Sequence, residues 1–117
     1  MPDAAIVVLA GTESPSELGR VVNGLQTAQE FDDAGDSVEI IFDGAGTQWI
    51  PVLEDEDHDY HSLYAELTGL MSACNYCANA YEVTDEIEDS PATLLDEHEG
   101  HPSIRSLVVD GYEIITY

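Results

Sequence analysis

The sequence predicts an α/β fold, a three-layer α/β/α sandwich on a mostly parallel sheet of about five short strands. Three observations in the 117 residues carry that expectation. Short apolar runs rich in Ile and Val recur along the chain, segments with three- and four-residue apolar spacing lie between them, and Gly or Asp clusters mark the junctions. No repeat, linker or low-complexity segment interrupts the pattern, so residues 1–117 are expected to form one domain.

Ala4–Ala10 is a continuous apolar run, the mark of a strand covered on both faces, and it ends at Gly11-Thr12. Ser14-Pro15-Ser16-Glu17 brings N-cap chemistry and a first-turn proline; Leu18, Val21, Val22, Leu25 and Ala28 then trace an amphipathic helix that stops near Gly35. Ser37–Phe42 reads as a second buried strand, broken by Asp43-Gly44-Ala45-Gly46, so the chain opens with a right-handed βαβ unit. Short helices are expected around Trp49–Leu53 and Leu63–Leu70, on either side of a solvated acidic loop at 54–59. Gly69–Ala73 reads as the third strand, running into Cys74-Asn75-Tyr76-Cys77 and a helix through Ala78, Ala80, Tyr81 and Val83. Thr93–Leu95 is a very short fourth strand, Ser103–Asp110 a small helix and Tyr112–Tyr117 the closing strand.

Charge narrows the partners. Twenty-five acidic side chains face two arginines and no lysine, for a formal charge of −23. Such a surface repels nucleic acid and anionic membranes, because neutralising phosphates needs clustered cations. A disordered acidic tail is excluded by the 44% apolar content, which is enough to build a core. Self-repulsion of this size is tolerable where salt screens it, at about 1 M with a Debye length of roughly 3 Å, so the composition points to a halophile, a salt-accumulating cell. No apolar run approaches the roughly 20 residues of a membrane span, and no secretory pattern precedes the first strand, so a cytoplasmic location is expected.

Ligand chemistry in an open parallel sheet gathers outside the carboxyl ends of the strands. Three segments are expected there: Gly11-Thr12-Glu13, Asp43-Gly44-Ala45-Gly46 and Cys74-Asn75-Tyr76-Cys77. With only two cysteines the chain is no disulfide scaffold, and the CxxC pair reads as redox, metal or sulfur chemistry. Cys74 at the hand-over from strand to helix meets free amides that favour thiolate, whereas the surrounding acidity opposes it. Cys77, one turn on, is near enough to resolve a disulfide or share a transferred sulfur. Zinc held by both cysteines with His98 and His101 is a weaker reading, since the Cys-to-His separation is longer and the His gap shorter than in zinc fingers, and no metal is expected. No phosphate-binding glycine motif is present, so no cofactor is expected either. Thr12, Asp43, Gly44, Trp49, Tyr76 and His101 are the candidates for lining a pocket around Cys74 and Cys77.

The segments strand-GT-xxxxx-LGR, IFDGAGTxWI, SACxYCAxAY and GHPSIxxLVxxGYEIITY together resemble a small intracellular DsrE-type protein of the DsrE/DsrF-like family, across Ile6–Tyr117. The resemblance implies a three-layer α/β/α domain, a trimer or hexamer, and a strand-end cysteine, here Cys74, that carries sulfur as a persulfide to or from a partner protein. Cys77 is an addition that the relay proteins do not require. The expected function is therefore a sulfur carrier or sulfurtransferase-like protein with Cys74 as the persulfide-bearing thiol and Cys77 as resolving thiol. A dithiol redox or metal-handling module, or a non-catalytic ligand-binding or assembly protein with packed cysteines, are the alternatives. Trp49, Ile50, Leu63 and Leu70 on short helices are the expected apolar surface for a homo-oligomer.

Overall fold

Asp3–Val8 forms the first strand, β1, and its residues from Ala4 onward are buried on both faces. The computed structural model that shows this describes residues 2–117. Ser14 caps the helix that follows, α1 (Pro15–Asp33), its hydroxyl accepting from the Glu17 amide, and Pro15 supplies the preset first turn. Then come β2 (Ser37–Phe42), a 3₁₀ turn at Gly44–Gln48, α2 (Trp49–Glu54) and α3 (His61–Glu66). The second half runs β3 (Met71–Cys74), α4 (Asn75–Ala80), α5 (Thr84–Glu88), β4 (Thr93–Leu95), α6 (Ile104–Val109) and β5 (Glu113–Thr116). All four strand pairings are parallel, in the order β4-β3-β2-β1-β5.

Parallel neighbours need crossovers of one hand, and the strand order therefore assigns each helix to a face. Steps from β1 to β4 move one way across the sheet and keep α1–α5 on one side; the return from β4 to β5 puts α6 on the other. The first face is the deep one. Ile6, Val8, Ile40, Phe42 and Ala73 meet Val21 and Leu25 of α1, Trp49 and Leu53 of α2, and Ala78 and Ile87 of α4 and α5. The second face is covered by α6 alone, where Leu107 and Ser106 lie with Ile41 and Glu39 of β2 along one groove. The architecture is thus an α/β/α sandwich of unequal layers.

Local chemistry moves two boundaries, and packing moves one apolar surface. The third strand starts at Met71 rather than Gly69, because Thr68–Leu70 closes into a 3₁₀ turn with the Leu70 amide donating to the Leu67 carbonyl at 2.9 Å. The expected helix through Val83 is two helices: Glu82 takes φ +59° and the Val83 amide donates back to the Ala78 carbonyl at 2.9 Å, closing α4 before α5 begins. Trp49 and Ile50 are core residues and Leu63 and Leu70 are packed against the core, so the apolar surface expected there is spent within the chain. On α2 only Val52 stays exposed, and the most exposed apolar side chains are Val108 and Val109 on α6 and Tyr76.

One glycine fixes where the second loop runs. A Cβ on Gly46 would stand 2.1 Å from the Val8 carbonyl oxygen, so only glycine lets the turn lie across the end of β1. That close approach is sealed by the Asp43 amide, which donates to the same carbonyl at 2.9 Å. Gly46→Ala must displace backbone and is expected to lower unfolding free energy by about 3 kcal/mol, read by chemical denaturation. On the α6 face, burial and then the Glu97 charge push the Glu39 carboxyl above its ordinary range. A raised pKa favours the neutral form in the fold, so this group's stabilising contribution is present at low pH and lost as pH rises through the folded value. Glu39→Gln is therefore expected to raise the melting temperature at pH 7, with a gain that shrinks as pH falls through the raised folded value.

Candidate functional site

Cys74 is the last residue of β3 and pairs with Leu95, the last of β4. From these neighbouring ends the chain leaves in opposite directions, into α4 on the deep face and toward α6 on the thin one. This is the switch point at which open parallel sheets hold ligands. Asp43 follows β2, next along the same edge. His101 arrives from the loop between β4 and α6. That loop is a tight two-residue turn in which His98 and His101 exchange both backbone hydrogen bonds at 2.8 Å, and Glu99 and Gly100 take φ of +51° and +87°. Positive φ at both central positions defines a type I′ turn.

The four side chains converge. Cys74 Sγ lies 3.2 Å from His101 Nδ1, and the Cys77 amide donates to the same sulfur at 3.4 Å. The Cys74 thiol also points at the Gly100 carbonyl, 3.9 Å away. Cys77 Sγ is 3.5 Å from Asp43 Oδ1, an oxygen that accepts from the Gly44 amide at 2.8 Å. Taken together, one ligand-capable atom each from Asp43, Cys74, Cys77 and His101 falls within a 4.8 Å span. Both cysteines are free thiols. The Tyr76 ring, 59% exposed, lies 4.6 Å from the His101 ring at 31°, and the Tyr76 amide donates to the Gly100 carbonyl at 2.8 Å, so the turn and its histidine are held from above.

Burial decides the resting state of the inner sulfur. Cys74 is 0% exposed, and loss of hydration pushes its thiol up to about 12. The Cys77 amide pulls the other way, but the Cys77 thiol and the Asp43 charge add to the rise. Of the two opposed influences legible in the sequence, amide donation and acidity, the first is outweighed, chiefly by desolvation. Cys74 is a neutral thiol at rest, in contact with the His101 ring nitrogen. Cys77 is partly exposed and forms the solvent side of the pair.

Of the candidates named from sequence, Cys74, Cys77, Asp43, Tyr76 and His101 meet, and Gly44 supports Asp43. Thr12 and Trp49 do not join them. The Trp49 indole is buried, donating to the Ala10 and Gly11 carbonyls at 2.9 and 3.0 Å, while Thr12 donates to Gln48 at 3.0 Å; both border a groove with Leu18 and His58. The Gly11 turn leaves from the same carboxyl edge of the sheet as the Asp43 and Cys74 loops, as expected, but Gly11 and Thr12 line depressions that the cysteines do not border. Gly100 was missed. Its signal is the Glu-Gly pair between two histidines, and a Cβ there would press on Tyr76 Cβ at 3.3 Å.

No protein-family model matches the chain. In fold, it is similar to a conserved protein of unknown function, BT1422, from Bacteroides thetaiotaomicron, with a TM-score of 0.61 over 97% of this chain and 94% of that one at 16% identity. In sequence, it is similar to the uncharacterized protein MJ0733 of Methanocaldococcus jannaschii, 30% identical over 95 residues that span 81% of this chain and 78% of the relative. That identity and coverage establish kinship: the chain belongs to the family of the uncharacterized protein MJ0733.

Proposed function

We propose that the chain is a sulfur carrier of the DsrE/DsrF-like kind, with Cys74 as the persulfide-bearing thiol and Cys77 as the resolving thiol. The observation that carries this reading is the 3.2 Å contact between Cys74 Sγ and His101 Nδ1 at the strand edge. A buried neutral thiol is a poor nucleophile until its proton has somewhere to go, and the imidazole is that acceptor. Attack of Cys74 on the outer sulfur of a donor persulfide, R–S–SH, forms Cys74–S–SH and releases R–SH, with the Cys74 proton passing through His101. The oxidation level is conserved. The Cys77 amide already donates to Cys74 Sγ and is placed to stabilise a persulfide anion. Where the acceptor is absent, Cys77 displaces hydrosulfide from Cys74–S–SH to leave the Cys74–Cys77 disulfide, which an external dithiol reduces.

The donor and acceptor are partner proteins in this reading, met in the cytoplasm of a salt-accumulating cell. Self-association as a trimer or larger assembly would use the α6 surface, where Val108 and Val109 are 57% and 65% exposed. Intact-protein mass spectrometry after incubation with a persulfide donor is expected to show one added sulfur per chain, removable by reductant. The adduct persists in Cys77→Ser and is absent from Cys74→Ser; no adduct on reduced, folded wild type sinks the proposal. His101→Gln is expected to slow loading roughly 100-fold, as loss of a positioned acid–base partner does, without changing the final mass.

A further inference from the structure

We propose that Asp43, Cys74, Cys77 and His101 form a four-ligand site for a thiophilic divalent cation, zinc foremost. The inference goes beyond sulfur carriage and holds whether or not the cysteines accept sulfur. Its basis is convergence from three separate loops: one carboxylate after β2, two thiols at the start of α4 and one imidazole before α6, with their ligand atoms inside 4.8 Å.

The geometry is close to what the ion needs. Zinc takes four ligands in a tetrahedron with bonds of about 2.3 Å to sulfur and 2.0–2.1 Å to nitrogen or oxygen, which sets ligand-to-ligand edges of roughly 3.3–3.8 Å. The Cys74–His101 and Cys77–Asp43 edges, at 3.2 and 3.5 Å, already lie near those lengths, and the longest separation, 4.8 Å, must contract by about 1 Å. From sequence no metal is expected, and the zinc set weighed there as the weaker reading pairs both cysteines with His98 and His101; in the fold Asp43 stands in the fourth position, and His98 serves the turn through its backbone.

Donor chemistry selects the metal. Magnesium and calcium demand oxygen ligands, so two sulfurs and an imidazole exclude them, whereas zinc accepts S, N and O together. Tyr76 against the imidazole fixes the ring plane with Nδ1 toward the sulfurs. The chain's charge of −23 raises the local concentration of any cation. On binding, each ligating thiol gives its proton to solvent and no electrons move. Occupied, the site has no free sulfur, and zinc and persulfide become mutually exclusive tenants of Cys74.

The test uses fully reduced, metal-free protein titrated with cobalt(II) as spectroscopic probe and then with zinc, in excess magnesium and without any sulfur donor. Saturation at one cobalt per chain is expected, with the strong visible bands of four-coordinate cobalt and thiolate charge transfer in the near ultraviolet, all displaced by one zinc. Cys77→Ser and His101→Gln are expected to weaken affinity by at least about 100-fold, since even outer-shell partners are worth roughly 10- to 100-fold. Asp43→Asn, which keeps an acceptor for the Gly44 amide, should weaken it less while retaining the charge-transfer band. Non-saturating uptake with six-coordinate spectra, competed by magnesium, would mean surface carboxylates only and overturns the proposal, as would affinity unchanged in Cys77→Ser. Zinc uptake without a sulfur adduct in the mass experiment overturns the carrier reading alone; the reverse result overturns this one alone.

Discussion

Neighbouring strands β3 and β4 run parallel but send their chains to opposite faces, and the site depends on that divergence. A parallel sheet can reverse its order of construction only by crossing back on the other side, and α6 is that crossing. Between the two departing segments the sheet edge is left without backbone to fill it. The residues that border the gap are then set by register: Cys74 opposite Leu95, Asp43 one strand over, His101 on the way to α6. A cluster of thiols, carboxylate and imidazole assembled in this way needs no long loop or extra element, only strand ends that terminate at the right residues.

Two backbone devices hold the cluster in place, and neither involves a reactive side chain. Gly46 lets the Asp43 turn lie across β1, and the paired positive-φ residues Glu99 and Gly100 fold the His101 turn back toward Cys74. Each is a position where a side chain or a different backbone conformation would push a functional group out of reach. The dense face contributes in a different manner. With Phe42, Ala73 and Ala78 all fully buried, the strand ends that carry Asp43 and Cys74 are anchored in the best-packed part of the molecule.

Much of this was legible in the residues. Ser37–Phe42 and Thr93–Leu95 are strands with the boundaries that β-branched and leucine content implied, and α1 ends where its apolar period ends. The failures share a physical cause: short segments whose apolar content fits two structures are decided by tertiary contacts. Gly69 and Leu70 enter a 3₁₀ turn because α3 needs closing, and Tyr81–Val83 break from helix because Glu82 reverses the chain. For the site, the CxxC spacing and the lone His before Pro102 sufficed to name Cys74, Cys77 and His101. Thr12 and Trp49 border a different groove, because proximity to a strand end does not say into which depression a side chain points. The depth of Cys74 was not legible at all, since spacing carries no information about solvent access, and it is this depth that makes the thiol neutral at rest.

The unequal layers carry a consequence for access. The face behind Cys74 is closed by a helix of six residues, none of them fully buried, whereas the opposite face is closed by five helices. Regions with few buried apolar contacts open at a fraction of the global unfolding free energy, in cooperative local units. α6 and the turn that bears His101 form the segment of this kind, joined without a break through Pro102 and Ser103. Detachment of this segment would expose the inner sulfur while the dense half stays intact, so access of a large reagent to Cys74 is expected to follow a local opening equilibrium rather than global unfolding.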